Sequence, residues 1–151
     1  MLRPTLRRLR KDEAGAVIIE TAFVMPILAI MAFGGYEASH MIARHNELQV
    51  AADEAGSILL AHTPETQEER DRIEGIVETT TGLPDENVTF QVKYRCNNDA
   101  DLIPSLVSCA PNAVISEYIE IRMQDTYTPT WTSFGIGEPH NYDIRRRVQV
   151  S

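Results

Sequence analysis

The longest apolar run of the chain extends from Gly15 to Tyr36, and only the carboxylate of Glu20 and the hydroxyl of Thr21 interrupt it. As a helix, residues 16–36 would measure roughly 30 Å, which is the thickness of the hydrocarbon core of a bilayer. A secretory signal peptide has a shorter apolar region, of about 7–15 residues, and a small-residue cleavage site after it. The pattern therefore predicts a retained transmembrane helix over residues 16–36.

Helical periodicity continues beyond this run. Residues 39–61 contain no proline, and their apolar positions recur with helical spacing at Met41, Leu48, Ala52, Ala55 and Leu59. We expect one long helix whose second part, residues 37–61, is an amphipathic stalk. Pro26 removes one backbone hydrogen bond and is predicted to loosen or kink the membrane part.

A second, shorter helix is predicted after the sequence HTPE at 62–65. Thr63 can cap this helix, Pro64 suits its first position, and Thr66 with Glu69 forms a possible capping box. Gly82 would end the helix, and the three threonines before it favour an exit rather than a helix interior. The buried stripe is predicted at Ile73, Ile76 and Val77.

The period then changes to strict alternation, which is typical of half-buried strands. Strands are predicted at residues 88–95, 118–123 (with an extension to 129 left open) and 142–150. We expect four aromatic residues to lie in their core, namely Phe90, Tyr94, Tyr118 and Trp131. The fold class is therefore α+β, with a long N-terminal helix, a short second helix and a small antiparallel sheet in an outer domain at 62–151.

Charge is divided unevenly along the chain. Residues 1–15 hold five basic and two acidic residues, a net charge of +3, whereas the rest holds nine basic and twenty acidic residues, a net charge of −11. Basic residues before an apolar span predict a cytoplasmic N-terminus and an outward C-terminal domain. The acidic remainder argues against nucleic-acid binding. The triplet Arg145–Arg147 is interpreted as a solvated strand end.

The two cysteines, Cys96 and Cys109, both lie in the outer domain, with twelve residues between them. In an oxidising compartment a disulfide closing such a loop would contribute about 3 kcal/mol. A disulfide is favoured over two free thiols, and a CxxC zinc or redox motif is absent from the sequence.

Neither a metal site nor a catalytic site is predicted. The four histidines, at 40, 45, 62 and 140, form no HExxH pattern, and His40 and His45 do not share a helix face. The sequence has no nucleophile elbow, phosphate-binding loop or dinucleotide fingerprint. Glu20 has two interpretations: a functional carboxylate in the membrane, or a carboxylate that sits at the interface one turn into the span.

The segment Gly15-Ala16-Val17-Ile18-Ile19-Glu20 resembles the processing site of type IV pilin-like proteins, in which a basic leader ends in Gly and Glu is the fifth residue after the cut. Residues 14–60 resemble more narrowly the opening of the TadE/TadG-like family, minor pilins or pseudopilins of the tight-adherence (Tad, or Flp) pilus. Thr21 stands where that family more often has an aromatic residue. The matching positions are Gly15, Glu20, Pro26, Gly35, Tyr36, Glu37, Leu48, Ala51, Ala52 and Ala55.

This resemblance implies a pilin-like fold and a short TadE- or TadF-type member without catalytic activity or cofactor, which assembles or anchors a pilus for surface adhesion. A prepilin peptidase would cut between Gly15 and Ala16, and Glu20 would serve its recognition and later pair with a neighbouring subunit. The implied partners are other pilin-like subunits, including the major Flp pilin, and the inner-membrane platform. The protein would be a single-pass protein of the bacterial inner membrane with a periplasmic domain. The leader removed by the cut would carry Arg3, Arg7, Arg8, Arg10 and Lys11.

Two alternatives stay open. The protein could instead be a binding module held at the membrane by an uncleaved signal anchor, with Glu20 incidental. A membrane-tethered hydrolase is the weaker alternative, because no motif in the sequence supports it.

Overall fold

The structure is a computed structural model that describes residues 13–151. It divides into two compact units, one ending at His40 and the other comprising Met41–Ser151. Helix α1, Glu13–Ala61, contributes to both units. The second unit also contains helix α2 (Gln67–Thr81) and the strands β1 (Val88–Cys96), β2 (Ile115–Tyr127) and β3 (His140–Gln149). The predicted α+β fold, with a long apolar N-terminal helix, is confirmed.

The first unit is the apolar part of α1. The helix has no polar stripe that would favour one side, so its large apolar side chains are exposed all round, from Val17 to Tyr36. The helix continues on both sides of Pro26. The predicted continuity from the apolar segment into the stalk is therefore confirmed.

Helix α2 starts after Thr63 and Pro64, at the predicted capping box of Thr66 and Glu69. Thr66 is the N-cap, with Glu69 N–H donating to its hydroxyl, while the Glu69 carboxylate accepts from the Thr66 backbone N–H. This reciprocal pair is a capping box. Pro64 is buried in the preceding loop and lies outside the helix.

The three threonines at 79–81 form the last turn of α2, directly before its C-cap Gly82, where the exit of the helix was predicted. Each hydroxyl donates to the carbonyl four residues earlier, so the side chains are satisfied within the helix. The helix ends at Gly82, whose φ of +68° is the left-handed conformation that glycine adopts without strain.

The three strands form an antiparallel sheet in the order β1-β2-β3. Strand β2 is longer at both ends than the predicted 118–123, because β1 and β3 pair with different parts of it. The triplet Arg145–Arg147 lies inside β3, opposite residues 120–122 of β2. The predicted position at a strand end is therefore wrong, whereas the three side chains are exposed, as predicted.

The core of the second unit lies between the helices and one face of the sheet. Ile76, predicted to be buried, is 50% exposed, whereas Ile73, Val77 and Thr81 are the buried residues of α2. Small residues let α1 approach the sheet closely: a Cβ added at Gly56 would lie 3.3 Å from Val148 Cγ2. The buried core residues are Leu48, Ala51, Ala52, Ala55, Leu59, Ile73, Val77, Leu83, Val88, Ile119, Ile121, Met123, Tyr142 and Val148.

Candidate functional site: the apolar helix and its carboxylates

Within the described residues one helical stretch, Val17–Ala61, is long and apolar enough to cross a membrane by length and composition. Its most apolar window has a mean hydropathy of 2.2. Large side chains such as Phe23, Ile30 and Met31 are 68–72% exposed. Contiguous apolar surface on this scale marks a membrane or protein interaction site.

Glu20 lies in this apolar surface, near the N-terminal end of α1, and is exposed. No cation of the described residues lies within ion-pair distance of its carboxylate. The neighbouring Thr21 hydroxyl donates to the carbonyl of Val17 at 2.8 Å, so Thr21 does not compete for the carboxylate. Glu20 is thus free to accept a partner supplied from outside the described part of the chain.

The predicted cleavage site lies at the start of α1. Gly15 is exposed and helical, and nothing within 4 Å would meet a side chain placed there. The cut between Gly15 and Ala16 stays a prediction. The basic residues predicted for the leader lie outside the described residues, namely Arg3, Arg7, Arg8, Arg10 and Lys11.

A second carboxylate of α1 has the opposite environment. Glu37 is only 2% exposed, although it directly follows the apolar segment. On the same part of the helix the rings of Tyr36 and His40 are 4.4 Å apart. Sequence reasoning gave Glu37 no role beyond its match to the family pattern, because a charged residue after an apolar run is most simply read as solvated.

Helix α1 is tied to the sheet of the second unit by Arg44. Its guanidinium donates to Asp125 at 2.6 Å, to Glu47 at 3.0 Å and to the carbonyl of Thr81 at 3.0 Å. Burial disfavours the charged guanidinium, but the hydrogen bonds to Asp125 and Glu47 outweigh it and raise the pKa of Arg44. The Tyr142 hydroxyl adds a hydrogen bond to the carbonyl of Met41 at 2.9 Å. These polar contacts hold this part of α1 on the sheet within the second unit.

Cys96 and Cys109 form a disulfide, with their Cα atoms 5.7 Å apart. The disulfide closes a loop, and Ile103 of this loop forms two backbone hydrogen bonds of 2.8 Å with Tyr94 of β1. The loop is therefore held to the sheet edge at two points. The composition of the loop does not predict the pairing of Ile103 with Tyr94.

Two of the four histidines lie near the same ring, since the ring centroids of His45 and His140 are 5.8 Å and 4.7 Å from that of Tyr142. His45 lies beside Gln49, with its Nε2 2.9 Å from the amide nitrogen, and His140 packs edge-on against Tyr142. The group of potential metal ligands found among the described residues is instead three carboxylates, Glu74, Glu78 and Asp85, whose nearest oxygens lie within 4.8 Å of one another. Carboxylates alone at the surface are common without an ion.

This carboxylate group changes the pKa of Glu74. Burial of its side chain, together with the charges of Glu78, Asp85 and Asp71, raises the pKa of Glu74 to about 7. The spacing of Glu74 and Glu78 by one helical turn was visible in the sequence, but the approach of Asp85 depends on the turn after α2.

The family model described as TadE-like protein matches residues 15–57. No curated protein and no solved structure shows significant similarity to the chain. The match begins at Gly15, includes Glu20 and Glu37, and ends in the stalk beside the core positions Leu48 and Ala55. The helix of this protein is therefore similar to the TadE-like family from the start of the apolar segment into the stalk, which confirms the resemblance predicted from the sequence.

Proposed function

We propose that this protein is a minor pilin or pseudopilin of a Tad (Flp) pilus, of the short TadE or TadF kind, which assembles or anchors the pilus for surface adhesion without catalysing a reaction. The observation that carries this proposal is the family match over residues 15–57, on a helix whose apolar side chains are exposed. The protein would reside in the bacterial inner membrane with its N-terminus in the cytoplasm. Its outer domain would face the periplasm, where the Cys96–Cys109 disulfide is stable.

A prepilin peptidase would cut between Gly15 and Ala16, which removes the basic leader and creates an α-amine on Ala16. Mass spectrometry of the protein extracted from membranes of pilus-competent cells should find Ala16 as the N-terminal residue. Replacing Gly15 by Val should leave the leader attached. Peptides from residues 1–10 in the wild-type protein of such cells would contradict processing.

The exposed Glu20 would pair with the Ala16 amine of a neighbouring pilin-like subunit. A carboxylate inside a bilayer costs about 3 kcal/mol at the centre of a span and less near its end, and an ion pair with the amine offsets part of this cost. The pair would also fix the axial register between subunits. The inner-membrane platform would then receive subunits that are already aligned.

Replacing Glu20 by Ala distinguishes this proposal from an anchored binding module. A pilin-like subunit should lose pilus assembly, measured by shed filaments and by surface attachment, while membrane residence and cleavage are checked separately. Glu54, an exposed carboxylate farther along α1, provides the control, since Glu54→Ala should preserve assembly. Normal assembly with Glu20→Ala would favour a module whose carboxylate is incidental.

The hydrolase alternative has little support in the described residues. One open depression lies on the exposed side of α1, lined by Val50, Asp53, Glu54, Ser57 and Ile58. The Ser57 hydroxyl donates to the carbonyl of Asp53 in its own helix, and the depression has no histidine to act as its base. This arrangement is that of a helix surface rather than of a nucleophilic site.

A further inference from the structure

The outer face of the sheet, which the helices leave uncovered, collects most of the positive charge of the second unit. Alternation along the strands sends Ile119, Ile121 and Met123 to the core, so the residues between them point outward. The strand register then places basic residues from all three strands side by side. We call this the cationic sheet face, and its basic residues are Lys93, Arg95, Arg122, Arg145 and Arg147.

Two carboxylates lie among these five cations, and each is shared by two of them. Glu120 accepts from Lys93 Nζ at 2.5 Å and from Arg147 Nε at 2.6 Å. Asp143 accepts from Arg122 and from Arg145 in the same way. The carboxylates are thus already saturated by contacts within the chain, and a net charge of +3 remains on the face of a protein whose overall net charge is −8.

The surplus charge is accessible. The side chains of Arg145 and Arg147 are 48% and 54% exposed. Arg95 is half-buried and lies over the ring of Tyr118, 5.0 Å from its centroid, while its buried Nε has no hydrogen-bond partner among the described residues. Tyr118 therefore supports a cation on the outer face instead of filling the core. A rigid β-sheet holds these donors in fixed positions, which reduces the entropy lost when a partner binds.

The complementary surface is present on the same chain. Helix α2 packs through Ile73 and Val77, and its acidic residues continue into the following turn as a stripe of Asp71, Glu74, Glu78 and Asp85. We call this the acidic stripe. Crowding of its carboxylates is unfavourable, as the raised pKa of Glu74 indicates, and a nearby cation would relieve it.

The cationic sheet face and the acidic stripe of one copy cannot contact each other, because α2 packs on the core side of the sheet and the cationic sheet face is on the opposite side. We infer that the cationic sheet face of one copy binds the acidic stripe of a second copy. Such a contact joins two different surfaces, so each bound copy still presents one free surface of either kind, and the contact can propagate. This inference deepens the proposed pilus function, on which its biological role rests, by naming a contact between outer domains.

The test uses the full chain, purified in a non-ionic detergent, and measures self-association by analytical ultracentrifugation. Arg145→Glu should weaken association ~10-fold, as expected for one reversed charge in a complementary contact. Glu78→Lys should weaken it similarly, and this variant relieves repulsion within the stripe, so it should fold at least as well as the wild type. Raising the salt concentration from about 0.05 to about 0.5 M should weaken the wild type in the same direction.

Arg72→Glu is the matched control. Arg72 lies on α2 with its side chain 73% exposed, and its reversal changes the net charge by the same amount as Arg145→Glu. It adds negative charge to the helix of the acidic stripe, so it should not weaken association. An equimolar mixture of the Arg145→Glu and Glu78→Lys proteins should form mixed pairs with the wild-type affinity, because each supplies the surface that the other has lost.

Several outcomes would overturn the inference. These are the absence of salt-sensitive association, an unchanged affinity in either reversed variant, and an equal loss with Arg72→Glu. Binding of the wild type to vesicles of anionic lipid through Arg145, without self-association, would identify a membrane surface as the partner instead. The purified protein is tested without a pilus, so this test can fail while cleavage at Gly15 and the Glu20 phenotype still support the proposed function.

Discussion

Replacing Glu74 by Gln should stabilise the outer domain at alkaline pH and leave it unchanged at acidic pH. In the folded chain, burial of Glu74 and its acidic neighbours raise the pKa of its carboxyl from an ordinary value of 4.5 to about 7. Between these two values the folded state binds more protons at this site than the unfolded state does. The free energy of unfolding therefore falls as the pH rises through this window.

The magnitude follows from the same difference. For a fully buried carboxyl, this difference between the two pKa values would lower the free energy of unfolding by roughly 3 kcal/mol at a pH above both of them. Glu74 is only partly buried, so solvent screens the repulsion, and we expect a loss of about 1 kcal/mol. Glutamine keeps the shape of the side chain and cannot ionise, which makes the variant independent of this titration.

The assay is urea unfolding of the full chain in non-ionic detergent, followed by the fluorescence of Trp131, the only tryptophan. The variant should match the wild type near about pH 4 and exceed it by about 1 kcal/mol near about pH 8. Glu68→Gln is the control on the same helix, because the Glu68 side chain is 88% exposed and should show no such gain. A difference that is constant with pH, or a less stable variant at alkaline pH, would refute the reasoning.

Two further predictions concern other contacts of the outer domain. Lys93→Met removes one of the two cations that hold Glu120, whose side chain is 5% exposed, and should cost about 2 kcal/mol at neutral pH. Burial opposes ionisation of Glu120, but the hydrogen bonds from Lys93 and Arg147 outweigh this effect and lower the pKa of Glu120. The loss of stability caused by Lys93→Met should therefore shrink as the pH falls below the ordinary value of 4.5. Urea titrations that show the same loss in acid would contradict this account. Replacing Cys96 and Cys109 together by Ser should lower the free energy of unfolding by about 3 kcal/mol. Reduction of the wild-type disulfide should reproduce most of that loss. Equal stability of the oxidised and reduced wild type would show that the disulfide does not stabilise the loop.

Most of the fold was predictable because its signals are local. A run of apolar residues of this length predicts a helix long enough to cross a membrane, and the alternation at 88–95 predicts a half-buried strand. The capping box of Thr66 and Glu69 was likewise readable, since both partners lie within one turn. The wrong details are positions that a local pattern cannot place, such as Ile76, which the helical stripe predicted to be buried and which is 50% exposed.

The membrane-length helix, its stalk, the family resemblance at Gly15 and Glu20, and the number of strands follow from the order of the residues alone. Which residues of the strands meet across the sheet depends on how the distant segments pack together in the folded chain. Tyr118 was expected in the core, yet the register of β2 places it on the outer face beneath Arg95. The pairing of β2 with β3 likewise converts a basic triplet into a sheet face shared with Lys93, while Arg146 between its neighbours turns inward to Asp53. A one-dimensional pattern gives the period of a strand, but the charge of a surface is a sum over strands that are distant in sequence.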